Sequence, residues 1–375
     1  MHPLKGVFGH TRWVPEIMDA SRLSTVFQAD GPFATVTLDV SHDSESGAHE
    51  HELRVRAAGE QLVEQGADGA VVEAVTARLS ELVDEPAPVT RTVVANAGGV
   101  VFDEVVHQRI DATAVHWGPL PDLSRWVEAA ERNVRFALAL VDHEGGDVAV
   151  YQSDVPEPES ETSAGGETTH VHKVPVGGWS ALRYQHETEN VWSRNADAVA
   201  DELDSVIKSG VPLVLLAGDP RSVAQVENRL SNQRATVVRL ESGGRAEDGG
   251  DEAQQQAIRE ALLEYTVARR LELSHDLKDR LGQDNAVATG ARDIADAFVK
   301  GQVDTLLVDP GAAREVELFV RDHPGFDVGD VPADQPLRAD QALVAAAART
   351  GANIVVMPRS SLGGAPAAAL LRWNG

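Results

Sequence analysis

The residues able to do chemistry gather in one stretch of this sequence. His170-Val171-His172 has the i, i+2 spacing by which a strand can offer two imidazoles to one metal ion. No third ligand stands at a telling distance, so the pair reads as surface histidines and no metal is expected. Next come Gly177-Gly178-Trp179-Ser180-Ala181-Leu182-Arg183-Tyr184. A Gly-Gly pair lets the backbone turn in a crowded place, because glycine adopts dihedrals that a Cβ forbids. The indole of Trp179 has one N–H donor and no acceptor. It can pack into a core beside the turn, the simpler reading from the residues alone. It can also stack on a nucleobase, worth about 1–3 kcal/mol per base. Between Thr168 and Arg194, the cations Lys173, Arg183 and Arg194, with His170, His172 and His186, face only Glu187 and Glu189.

Other constellations are poorer. Gly243-Gly244-Arg245 and Gly249-Gly250 lie among Glu241, Glu247, Asp248, Asp251 and Glu252, which repel phosphate, and no Gly-Lys-Ser/Thr follows. There is no Gly-x-Ser-x-Gly elbow and no His-Glu-x-x-His helix. No carboxylate pair stands out as a general acid and base. Asp219-Pro220-Arg221, after an apolar strand, reads as a helix cap. His42-Asp43 and His49-Glu50-His51 read as a solvated helix face. The residues alone therefore suggest no catalytic set and no cofactor.

The elements that must position the Gly-Gly-Trp stretch follow from periodicity. The sequence predicts three αβ domains, over residues 1–132, 133–275 and 276–375. In the first, a helix is expected over Ile17–Phe27, a strand over Phe33–Val40, helices over His49–Val63 and Ala70–Leu82, and a hairpin of Thr92–Ala95 with Val100–Val105. Leu120-Pro121-Asp122 is expected to cap a short helix through Val127. In the second, Phe136–Val141 and Val148–Gln152 form a hairpin, and His170–Val174 a strand. A long helix then carries Trp192, Ala196, Val199, Leu203 and Val206 as one apolar stripe. Leu213–Ala217, a helix over Val223–Leu230 and Thr236–Leu240 give a βαβ pattern, hence a mixed sheet partly covered by helices. The third runs from a long helix over Ala257–Leu281 through a helix with Ala288, Ala291, Ile294, Ala295 and Phe298. It then has a strand over Val303–Val308, a short helix near Glu315–Val320, a helix over Ala339–Arg349, a strand over Asn353–Met357 and a closing segment Ala367–Trp373, a compact αβα unit.

At 375 residues, two or three domains suit the length. The absence of cysteine excludes disulfides and thiolate chemistry and suits a reducing cytoplasm. The start lacks the apolar core of a signal peptide, and no apolar run approaches a membrane span. A cytoplasmic protein with no membrane or DNA partner is therefore expected. The net charge of -26 argues against a broad nucleic-acid footprint. Much of that acidity sits in Asp154–Glu167 and Glu241–Glu252, which read as disordered.

Against that charge stands a resemblance. His172-Lys173 followed by Gly177-Gly178-Trp179-Ser180-Ala181-Leu182-Arg183-Tyr184 resembles the central loop of the archaeal and eukaryotic class-1 release factors and their Pelota relatives. There a lysine-bearing strand leads to Gly-Gly-Gln-Ser-Ala-Leu-Arg-Phe and into a helix. Leu213–Gly218 is similar to the strand-and-glycine segment after that helix, and Lys300-Gly301-Gln302-Val303-Asp304-Thr305-Leu306-Leu307-Val308 to the strand entry of the family's third domain. The resemblance covers about residues 134–375; the first 130 residues show no stop-codon-reading motif. It implies that this loop enters the peptidyl-transferase centre, with His172, Lys173, Gly177, Gly178, Trp179, Ser180 and Arg183 against rRNA. The family's glutamine helps place the attacking water; an indole cannot, so the resemblance implies occupancy without peptide release and no enzymatic activity. Among subfamilies without the glutamine, the chain looks most like the bacterial, Balon-like hibernation branch. That implies A-site binding on idle ribosomes, contacts to rRNA of both subunits and elongation factor Tu as partner. Pelota-like rescue, an ester hydrolase acting on peptidyl-tRNA, and a stress-response protein that no longer meets the ribosome are the alternatives.

Overall fold

The structure, a computed structural model, describes residues 18–19, 23–41, 47–84, 87–110, 112–153, 155, 157–166, 179–232, 234–241, 251–283 and 285–374, without the side chains of 18–19, 131–132, 179–192 and 251–252. The chain forms two compact units. One is split in sequence, Ile17–Asn133 with Arg270–Gly375; the other holds Val134–Arg269.

The split unit begins with β1 (Met18–Asp19), α1 (Ser24–Gln28), β2 (Phe33–Asp39), α2 (Gly47–Glu64), α3 (Gly69–Ser80), β3 (Thr90–Asn96), β4 (Gly99–Val106), β5 (Ala114–Gly118) and α4 (Ser124–Arg132). An antiparallel sheet runs β4-β3-β2-β5. Alternation along β2 sorts its faces. Ala34, Val36 and Leu38 pack on Val55 and Leu62 of α2 and Val71, Val75 and Leu79 of α3. Phe33 points the other way, into the core shared with the C-terminal segment.

The second unit holds β6 (Arg135–Val141), β7 (Gly145–Gln152), β8 (Ser160–Gly165), α5 (Trp179–Lys208), β9 (Leu213–Gly218), α6 (Pro220–Glu227), β10 (Thr236–Arg239) and the first part of α7 (Asp251–Gln283). Its sheet runs β10-β9-β6-β7-β8, parallel at β10/β9 and β9/β6 and antiparallel beyond. Ala196, Val199, Ala200, Leu203 and Ile207 of α5, with Val223 and Val226 of α6, cover one face. Ala261 and Tyr265 of α7 cover the other, against Phe136, Leu138, Leu213 and Leu215. Each such Leu, Val or Phe contributes about 1.5–3 kcal/mol when taken fully out of water.

The split unit resumes with β11 (Val287–Thr289), α8 (Ala291–Val299), β12 (Val303–Val308), α9 (Pro310–Arg314), β13 (Glu317–Phe319), β14 (Pro336–Arg338), α10 (Ala339–Thr350), β15 (Asn353–Val356) and β16 (Ala367–Leu371). The sheet β1-β15-β12-β16-β11 has Leu273 and Leu277 of α7 on one face and α8 and α10 on the other. Small alanines let α10 sit buried along most of its length. The first and third expected segments thus share one core, which includes Phe33, Trp126, Phe298 and Leu343, and β1 of the first joins the sheet of the third. No helix among the described residues is long and apolar enough to cross a membrane.

Several local expectations are corrected. Ile17–Phe27 is not one helix: Met18 and Asp19 pair with Ile354 and Asn353 at a sheet edge, and α1 starts only at Ser24. Edge pairing outweighs helix propensity there. The acidic segment holds a strand, β8, whose backbone pairs with β7 although almost every side chain is exposed. Ala288 lies in β11, and Gly290 at φ 82° parts that strand from α8. The short helix near Glu315–Val320 is instead β13, paired with β14. His51 is buried, its Nε2 donating to the Leu79 carbonyl at 2.8 Å, so only His49 of that trio's imidazoles meets solvent. The strand expected over His170–Val174, and His42-Asp43, lie outside the described residues.

Candidate functional site

His172, Lys173, Gly177 and Gly178 lie outside the described residues. Trp179, Ser180 and Arg183 fall in the first two turns of α5, with their side chains outside the description. The frame that carries them is clear. The chain leaves the sheet at the end of β8, and α5 then returns over 30 residues to the face of that sheet. Asn195 to Ile207 form the stripe that docks it, four turns beyond Trp179.

Polar contacts fix α5 laterally. Arg229, just past α6, donates through Nε to Asp197 Oδ1 at 2.5 Å and through Nη2 to Ser193 Oγ at 2.7 Å. Asp204 accepts from the backbone N–H groups of Ser231 and Asn232 at 3.2 and 3.0 Å, and from the Ser231 hydroxyl. Burial pushes the Asp204 carboxyl up, but these donors more than offset it and hold the group below the usual carboxylate range.

The turn after β9 is built by close approach. Gly218 has φ 120°, and a Cβ there would lie 2.0 Å from the Val141 carbonyl oxygen. Asp219 caps α6, as expected, accepting from Arg221 N at 3.1 Å and Ser222 N at 2.9 Å. The Ser222 amide is the main cause that holds the Asp219 carboxyl below its ordinary range.

A second polar cluster, in the split unit, escaped the sequence reading. Asp122 does not cap α4. Its carboxylate accepts from Ser124 Oγ at 2.5 Å and pairs with Arg338 Nη1 at 2.9 Å. Ser124 Oγ also lies 2.9 Å from Asp340 Oδ2, and Arg338 forks onto Asp340 at 3.0 and 2.5 Å. Asp340 is fully buried. Burial pushes Asp122 up, yet Arg338 and Ser124 outweigh it and its carboxyl titrates low. Next to them Gln341 Nε2 stands 3.0 Å from His116 Nε2, an amide N–H meeting a neutral imidazole. Burial lowers the His116 pKa, with Arg338 adding to the effect and Asp122 opposing it. Ser124 is buried, so its hydroxyl is not presented to a substrate from solvent. The cluster therefore binds the N-terminal sheet side to α10 rather than supplying a nucleophile. Only the charged start of an alanine-rich helix, Arg338-Ala339-Asp340-Gln341, hinted at it in the sequence. Among the described residues no group of three or more His, Asp or Glu could hold a metal ion.

Residues 135–283 match the sequence model of bacterial archaeo-eukaryotic release factor family 2. The uncharacterized protein Rv2629 of Mycobacterium tuberculosis is 28% identical over 356 residues, covering 90% of this chain and 92% of its own. Among solved structures, Saccharomyces cerevisiae Dom34, a translation termination-like factor, aligns at 8% identity and TM-score 0.43, over 95% of this chain and 93% of its own. Ribosome-bound archaeal Pelota aligns at 15% identity and TM-score 0.40, over 96% of both chains. The family match spans β6 through α7 and contains the whole Gly-Gly-Trp stretch. This segment, rather than the whole chain, is similar to bacterial archaeo-eukaryotic release factor family 2.

Proposed function

We propose that this chain is a ribosome-associated translation factor that occupies the peptidyl-transferase centre without releasing peptide. The observation that carries the reading is the family match over residues 135–283, with Trp179 standing directly after the glycine pair where release factors hold glutamine. An amide offers both a donor and an acceptor to a water molecule; an indole offers one N–H. What the ring supplies instead is a stacking face for a base. The N–H groups of a helix's first turn carry partial positive charge, which suits a phosphate backbone, and α5 begins at Trp179. In this reading, rRNA contact is confined to a local tip with His172, Lys173, Gly177, Gly178, Trp179, Ser180 and Arg183, and the charge of -26 lies elsewhere.

The finer reading is Balon-like hibernation: A-site binding on idle ribosomes together with elongation factor Tu, which the segment beyond Ala257 would contact. An acidic surface does not hinder a protein–protein contact as it hinders a phosphate contact. Two measurements test the proposal. Sucrose-gradient sedimentation of the tagged protein should place it with ribosomes, more so in starved cells; recovery only at the top of the gradient in both conditions would contradict ribosome binding. Incubation with ribosomes carrying radiolabelled peptidyl-tRNA should release no more peptide than a factor-free control. Release well above that control would replace occupancy with hydrolysis.

A further inference from the structure

The base of the proposed ribosome-facing segment is built from three glycines and one buried amide. β7 and β8 meet at their ends as the pair Gly145↔Gly165. A Cβ on Gly145 would lie 2.3 Å from the Ala164 carbonyl oxygen, and one on Gly165 would lie 2.9 Å from Gly145 Cα and 3.3 Å from Asn195 Oδ1. The two backbones can approach this closely only without side chains. Both glycines also have positive φ, 148° and 90°, and Gly166 follows at 93°. Three such residues in one corner are not needed for an ordinary hairpin, which would manage with one or two.

Hydrogen bonds lock the corner. Asp142 Oδ1 accepts from the amides of Glu144 at 2.7 Å and Gly145 at 3.1 Å, shaping the β6–β7 turn. The Gly166 amide donates to the Glu144 carbonyl at 2.7 Å, so the chain is still held one residue past the end of β8. Asn195 of α5, only 2% exposed, donates from Nδ2 to the His143 carbonyl at 3.2 Å. Turn, strand end and helix therefore converge where the chain departs at Gly166. Trp179 begins the same helix 16 residues before Asn195, roughly 24 Å along its axis at 1.5 Å per residue.

We propose that Gly145, Gly165, Gly166 and Asn195 form a positioning clasp that fixes both roots of the Gly-Gly-Trp segment against each other, one root being the departing strand and the other the flank of α5. The clasp sets the point from which residues 167–178 leave and the orientation of the helix to which they return. None of its members touches the ribosome; they act through the residues they hold. The consequence for binding rests on the ribosome-associated reading, whereas the clasp itself is a property of this unit alone.

Amide hydrogen exchange by mass spectrometry on the full chain separates the two. In the unaltered protein the peptide covering residues 160–166 should be protected, owing to the β8 ladder and the Gly166 N–H bond. Asn195→Ala removes the donor without burying a charge. Gly166→Ala meets open space and only strains φ, so it should fold. Both should lose protection at 160–166 while residues 213–217 of β9 stay protected and the chain stays folded. Ribosome affinity per folded molecule should then fall severalfold, because the departing strand is no longer held against α5. Free exchange of 160–166 in the unaltered protein would overturn the clasp, as would folded variants with unchanged protection and affinity. If the unaltered protein fails to bind ribosomes, the ribosome reading falls, and the exchange comparison still decides the clasp.

Discussion

Trp179 carries the argument at the scale of single residues, because two placements of its ring make opposite forecasts. If the ring stacks on a base, Trp179→Ala weakens ribosome binding by about 1–3 kcal/mol and leaves thermal unfolding unchanged. If it were core, truncation would cost about 3–5 kcal/mol of folding stability and leave affinity per folded molecule intact. Measuring both on one variant decides between them. His51 shows why such a choice cannot be made from sequence. It shares its local pattern with His49, yet it is buried with its ring bonded to the Leu79 carbonyl, while His49 stands in solvent. Two positions along a helix rotate a side chain by about 200°, and only the partner helix α3 tells the two apart. Asp122 misled for the same reason: its partner Arg338 lies more than 200 residues away, and Ser124 reaches Asp340 across 216.

Among the elements, those with strong periodicity were legible. β2, α2, α3, the β3–β4 and β6–β7 hairpins, the α5 stripe, β9, α10 and β15 stand where apolar spacing puts them. The missed or misread strands, β1, β5, β8, β11, β13 and β14, are short, most of them at sheet edges or in small ladders. Backbone pairing holds them, and backbone pairing leaves little trace in side-chain pattern. The β9–α6 turn was legible in full, and it yields a graded test. Asp219→Ala should cost about 1 kcal/mol, the worth of one N-cap. Gly218→Ala should cost more than that, since its Cβ would press on the Val141 carbonyl in a left-handed backbone. Chemical denaturation of the two variants should therefore rank them in that order. The opposite order would mean that the turn relaxes to admit the side chain.

Across the whole molecule, the cluster of Asp122, Ser124, Arg338, Asp340, His116 and Gln341 makes stability depend on pH with a definite sign. The carboxyl of Asp122 is held low when folded, so its contribution is present above its unfolded pKa of about 3.9 and lost as pH falls through the lower folded value. His116 is also lowered, but as a base. The unfolded chain takes up its proton first, so folding weakens as pH drops below about 6.5. Both terms act in one direction: melting temperature should fall on acidification, beginning near neutrality and steepening in acid. Arg338→Met leaves two buried carboxylates without their shared cation, a loss of about 3–5 kcal/mol by analogy with broken buried pairs. The variant should lose that stability near neutral pH, where both carboxylates are charged, and recover part of it as they protonate on acidification. Unchanged stability near neutral pH would mean that the cluster is not what ties the two segments of this unit.

Occupancy of the peptidyl-transferase centre turns on where position 179 goes when the protein meets a ribosome. A photo-crosslinking amino acid placed at Trp179, activated on purified ribosomes and mapped on the RNA, reads that position directly. Crosslinks to large-subunit rRNA in the peptidyl-transferase centre are expected, competed by an unlabelled copy of the protein. Co-sedimentation with ribosomes but crosslinks from position 179 only back to this chain itself would contradict that occupancy.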